Sequence, residues 1–159
     1  VGVTASVETA EMTPRMTLER EHRAQLRALS RALQEVHRSL METARERYEL
    51  VGGPVRSRGE LLDLLLRDET FAWLRPLSGL IVEIDEIAAR DPAPTAAETA
   101  AMAAVVQALT SSSDDQDAFG SRYVALLTSE PRVAMSHVGL RDALGGLPEP
   151  RTGFGAVEQ

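Results

Sequence analysis

The 159-residue chain contains no cysteine, no lysine and no asparagine. Without cysteine it has no disulfide, no thiolate nucleophile and no thiolate metal ligand, and the cytoplasm is the expected compartment. Lysine and asparagine share adenine-rich codons. Their joint absence therefore points to a GC-rich coding sequence before it points to selection for guanidinium chemistry. Aromatic residues are scarce at 4%, with one Trp, two Tyr and three Phe. Strand-forming patterns are scarcer still, because the Val and Ile residues fall at helical rather than alternating spacing. No apolar run approaches the roughly 20 residues that cross a bilayer, so no membrane partner is expected. The opening VGVTASVETAEMTPRM has neither the basic nor the apolar region of a secretion signal.

What is present is ordinary for a soluble globular domain: 43% apolar and 26% charged residues, with a net charge of −7. The charge is unevenly placed. Residues 1–51 hold eight Arg against eight Glu, and the remainder holds nine Arg against sixteen Asp and Glu. An acidic total opposes non-specific nucleic-acid binding, and no short helix has a basic recognition face, so nucleic acid is not an expected partner.

Helix punctuation divides the chain clearly. A first helix is expected to start at Thr13–Pro14 or Thr17. Its apolar positions Leu26, Leu29, Leu33, Val36 and Leu40 keep the 3–4 rhythm of a bundle seam. The seam extends back through His22 to Leu18 and forward through Ala44 to Tyr48. Gly52-Gly53-Pro54 should end it. Ser57…Glu60 reads as a capping box before the short leucine-rich run LLDLLL, and Asp68 can cap the following helix. Thr95…Glu98 is a second capping box, opening a helix with Met102, Val105, Val106 and Leu109 on one side. Ser113 to Gln116 offers a further cap before Phe119, Tyr123, Leu126 and Leu127. Pro131 opens a last helix carrying Val133, His137, Leu140 and Leu144, closed by Gly145-Gly146. The pattern predicts an all-α, single-domain bundle of five to six helices with one long N-terminal helix. The expected divisions are a flexible segment at 1–12, the bundle at 13–146 and a flexible tail at 147–159.

RDETFAWLRPLSGLIVEIDE poses a local problem, since Pro76 ordinarily stops a helix. Trp73, Leu77, Leu80, Ile84 and Ile87 keep one phase across it. That phase predicts a kinked or tightly coupled helix in which the carbonyl of Ala72, freed by the proline, accepts from Ser78, water or an arginine. Trp73 reads first as a core anchor and second as the wall of a ligand pocket with Ser78 and Asp85. Glu83 and Glu86 read as a solvated acidic face, while Asp85, nearer the apolar stripe, is the better candidate for a buried ion pair.

Other candidates carry weaker patterns. Glu19…His22 has the Glu-x-x-His spacing of di-iron bundles, but those sites need two such motifs. His22 and His137 sit on apolar stripes of different helices. If they meet, they could hold one metal with Glu19 or a tyrosine; two half-buried histidines is the commoner arrangement. His37 flanks its stripe and reads as solvated. Arg20, Arg23, Arg27 and Arg31 stack on one face of the first helix, with Glu19 and Glu35 placed to relieve them. They read as solvated or internally paired residues, or as a docking strip for an acidic partner or a phosphate-bearing ligand. Nucleophile elbows and phosphate-cradling glycine loops are absent, and Ser136 and His137, one apart on a helix, do not face each other.

The stretch LLDLLLRDETFAWLRPLSGLIVEIDE, with RERYEL before it and FGSRY after, resembles an uncharacterised family of small bacterial all-helical proteins. In that family a pattern like FAWLRPLSxLIxxIDE recurs. The likeness spans about residues 18–145. It implies a bacterial helical protein, and supplies no activity, cofactor or catalytic residue. The sequence thus leads to a non-enzymatic interaction or regulatory module that needs no cofactor. It would work through the arginine strip and through any apolar face the leucine-rich helix leaves open, with a protein partner or a second copy as a homodimer. The alternative is a bundle that binds a ligand or metal through its histidines.

Overall fold

The computed structural model describes residues 4–112, 114 and 116–148, with side chains from Pro14 onward. Seven helices and no strand occur among the described residues: α1 (Thr4–Gly52), α2 (Arg58–Arg67), α3 (Glu69–Ala72), α4 (Arg75–Ala89), α5 (Ala96–Ser111), α6 (Ala118–Ser129) and α7 (Pro131–Gly145). No helix among them is long and apolar enough to cross a membrane.

The α1 seam is the axle. Leu26, Leu29, Leu33, Val36 and Leu40 are fully closed to solvent, Ala44 is buried, and Tyr48 packs at the edge of the core. The upstream extension does not hold, because Leu18 is 53% exposed. Arg23 meets the last turn of α4 and Gln25 the end of α7, so among the described residues both partner helices end close to this level. Nor does α1 start at Thr13 or Thr17; its helical backbone begins at Thr4 and takes Pro14 inside. At the other end Gly53 has φ +87, the left-handed conformation that glycine adopts without strain, and its N–H returns to the Glu49 carbonyl at 3.2 Å.

α4 and α7 both run antiparallel to α1. Ser78 meets His37 and the Ala88 carbonyl meets Arg23, which sets the α4 direction. Arg132 grips Glu46, Ser136 meets Ser39 and the Gly146 carbonyl meets Gln25, which sets that of α7. α6 packs on α7, and α5 packs on α6 and the axle. The chain stays fastened past Gly146, since Leu147, expected in a loose tail, is a buried core residue.

Pro76 ends up at the start of a helix rather than inside one. α3 is a single turn capped by Asp68, whose carboxylate accepts the Thr70 N–H at 2.7 Å. Trp73 and Leu74 remain in right-handed helical conformation, and the Leu74 N–H bonds three residues back to Phe71. α4 then begins with Pro76 in its first turn, where a missing N–H costs nothing. This tight turn has about three residues per turn, and the buried positions follow it: Phe71, Leu74, Leu77 and Leu80 at intervals of three, then Ile84 and Ala88 at intervals of four. The change of pitch moves Leu74 into the core position expected of Trp73, which stays half-buried beside it.

Caps follow the expected chemistry with two amendments. Thr95 and Glu98 form the full reciprocal box that opens α5. The Thr95 N–H, with Arg90 adding to it, holds the Glu98 carboxyl down at about 2. Ser57 accepts the Glu60 N–H, but the Glu60 carboxylate turns to the Arg56 N–H instead of completing the box. α6 is capped by Asp117; Ser113 lies outside the described residues. The inner face of α5 consists of Thr99, Ala100, Ala103, Val106 and Thr110, leaving Val105 outward and Met102 and Leu109 at the margin.

Two helical glycines test this packing in opposite senses. A Cβ at Gly120 would stand 2.6 Å from the Ser112 carbonyl oxygen, whereas one at Gly79 meets nothing within 4 Å. Gly120→Ala should destabilise by about 1–3 kcal/mol through overpacking. Gly79→Ala should stabilise by about 0.5–1 kcal/mol by restricting the unfolded chain. Urea midpoints of the two variants shifting in the same direction would contradict the assignment.

Candidate functional site

The four arginines of the α1 strip do not act alike. Arg23 donates to the Ala88 carbonyl at 2.8 Å, satisfying a backbone acceptor in the last turn of α4 and placing a positive charge at that helix's negative end. It is a structural clasp. Arg20, Arg27 and Arg31 are exposed and make no ion pair among the described residues. The carboxylates placed to relieve the strip turn elsewhere: Glu19 pairs with Arg15 at 3.2 Å and Glu35 with Arg38 at 3.2 Å.

The histidines are dispersed. His137 lies beside Ser136, which meets Ser39 of α1, and His22 is seventeen residues upstream of Ser39. At 1.5 Å per residue that separates the two histidines by about 25 Å along the axle, so His22, His137 and Glu19 cannot share an ion. No group of three potential metal-ligating side chains occurs among the described residues. His37 is not solvated as expected. It is half-buried between α1 and α4, with its Nε2 2.9 Å from Ser78 Oγ.

Trp73, Ser78 and Asp85 also fail to converge. Ser78 faces His37 and donates to the Leu74 carbonyl at 3.3 Å, one turn back, not to Ala72. Asp85 is exposed and unpaired among the described residues, so the buried ion pair expected there does not form. Trp73 packs on Phe119 with ring centroids 5.9 Å apart, and the Arg122 guanidinium lies 5.6 Å from its centroid. One side of the indole borders a cleft of about 450 Å³ with Thr43, Arg47, Thr70 and Leu126. The tryptophan is thus both a core neighbour and a cleft wall, without the other two residues.

The richest chemistry lies between α5 and α7, in a cleft of about 570 Å³. Gln107 and Ser111 face His137 and Arg141, the latter two one helical turn apart on α7. Tyr123, fully buried on α6, places its hydroxyl 2.8 Å from His137 Nδ1. Burial pushes the phenol well above its ordinary range, so it stays protonated. A protonated phenol can donate to Nδ1 or accept from Nδ1–H, and in either tautomer this bond occupies Nδ1 and leaves Nε2 to the cleft side. Burial lowers the His137 pKa, with the Arg141 charge adding to the effect, so the ring is neutral at neutral pH. Arg141 is exposed and has no carboxylate partner among the described residues. Ser136 points away, donating to the Val133 carbonyl at 3.0 Å, so no serine–histidine dyad forms. Sequence reasoning found His137 and missed Arg141 and Gln107. The i, i+4 spacing of His137 and Arg141 was visible, but the facing wall on α5 was not.

No family model, curated protein or solved structure matches this chain.

Two of the three half-buried histidines, His37 and His137, make a stability prediction. Desolvation lowers the pKa of both His37 and His137, so the folded protein binds protons less readily than the unfolded chain. Stability is therefore full above the unfolded value of about 6.5 and declines as pH falls through the lower folded values. The urea midpoint should drop between about pH 7 and pH 5, and His37→Gln should flatten that drop. An unchanged slope in the variant would remove His37 from the account.

Proposed function

We propose that the protein is a non-enzymatic interaction module that docks through α2, with a second copy of itself as the first partner to test. The observation that supports this most is that α2 carries leucines at 61, 62, 64, 65 and 66 and buries none of them fully. Leu62 is 56% exposed and Leu66, one turn on, is 63% exposed. A ten-residue helix is marginal on its own propensity and depends on covering its apolar face. Here the covering is partial, which is the condition under which helices associate.

The arginine face of α1 supports a second contact. Arg20, Arg27 and Arg31 present three charges with no ion pair among the described residues, on a chain of net charge −7. An acidic protein surface is the complement, and such a contact would act mainly on encounter rate and salt dependence.

Light scattering across a concentration series tests the first contact. The wild type should shift to larger mass with concentration, and Leu62→Glu with Leu66→Glu should stay monomeric with helicity intact. A concentration-independent monomeric wild type would overturn self-association. For the second contact, Arg20→Glu, Arg27→Glu and Arg31→Glu together should abolish salt-sensitive binding of an acidic peptide. Retained binding would remove the strip from the reading.

A further inference from the structure

We infer that the cleft between α5 and α7 is a binding site for a small organic monocarboxylate with an apolar tail. The cleft is divided by chemistry. Among the described residues Arg141 is the only charged side chain lining it, with His137 and Gln107 in the same lining, while Ala103, Leu127, Leu144 and Leu147 supply an apolar wall. The volume of about 570 Å³ lies within the ordinary range for small-molecule sites.

The charge count selects the head group. One guanidinium without a carboxylate partner among the described residues supplies one countercharge, and its planar fork matches a carboxylate with two parallel hydrogen bonds. Asp142 follows Arg141 directly, but neighbours one apart on a helix do not face each other. His137 contributes a neutral imidazole whose Nδ1 is occupied by Tyr123, so its Nε2 meets the head group as a donor in the Nε2–H tautomer. Gln107 adds an amide. A dianionic phosphate would find one cation and neutral donors on a protein of net charge −7, a poorer electrostatic match. The apolar wall selects the remainder of the ligand, since tail burial supplies affinity that a single exposed ion pair does not.

This inference is independent of docking through α2 and is read separately. Octanoate, 1-octanol and octyl phosphate are titrated into the full-length protein while amide resonances are followed by NMR. Octanoate should give saturable shifts confined to residues 103–111 of α5, Leu127 of α6 and the segment from His137 to Leu147. Arg141→Met, which keeps the aliphatic stem and removes the charge, should weaken octanoate by about tenfold or more. Arg56→Met, an exposed arginine between α1 and α2, should leave octanoate affinity unchanged. The inference is overturned if octanoate gives no saturable shift at millimolar concentration, or if Arg141→Met binds as the wild type does. It also fails if 1-octanol or octyl phosphate binds as tightly as octanoate, or if Arg56→Met weakens binding equally.

Discussion

Leu26, Leu29, Leu33, Val36 and Leu40 lie along one side of α1, and helices arriving from two directions close them to solvent. α4 and α7 each fold back antiparallel onto this seam, and α6 and α5 are in turn placed by α7 and by the axle. Truncating any one of these seam leucines to alanine would cost about 2–5 kcal/mol. Because a domain of this size is stable by only about 5–15 kcal/mol, two such losses approach the whole margin. Both clefts and the histidine positions therefore inherit their geometry from one apolar stripe.

A seam of similar leucines sets distance better than register, since neighbouring turns offer nearly equivalent packing. Register comes from polar contacts at defined levels of the axle. Arg23 and His37 hold α4 at two heights, and Gln25, Ser39 and Glu46 hold α7 at three. Several of these end on backbone carbonyls or on buried hydroxyls, where an unmade bond is costly. That economy explains why Arg23 is spent on the fold while its neighbours on the same face remain outside it.

The seam, the glycine stop after α1, and the Thr95 and Asp68 caps were all legible in the sequence, because each rests on interactions within a few residues. Errors gathered where tertiary contacts decide. Pro76 looked like a kink because the phase from Trp73 to Ile87 could be read straight through it. A three-residue pitch serves the same leucines and also suits the proline, and only the packed structure distinguishes the two. His37 and Asp85 exchanged expected roles for the same reason: a position at the margin of a stripe is buried or open according to what lies opposite. The cleft between α5 and α7 was beyond reach, since Gln107 and Arg141 acquire meaning only when their helices face each other across it.

Gln25 ties the axle to the Gly146 carbonyl, and Leu147 tucks into the core just beyond, so the chain enters and leaves the packed core at one pole. This arrangement has a mechanical consequence. Tension applied between the two sides of the chain at that pole would load the α1–α7 seam from one end, opening its contacts in succession. Sliding the two helices past each other would instead break all of them together. The first contacts to carry load would be the Gln25 amide bond and the Leu147 anchor, which act as a buckle for the antiparallel pair. Resistance to pulling is therefore set by a few residues at the pole, even though resistance to denaturant is set by the whole seam.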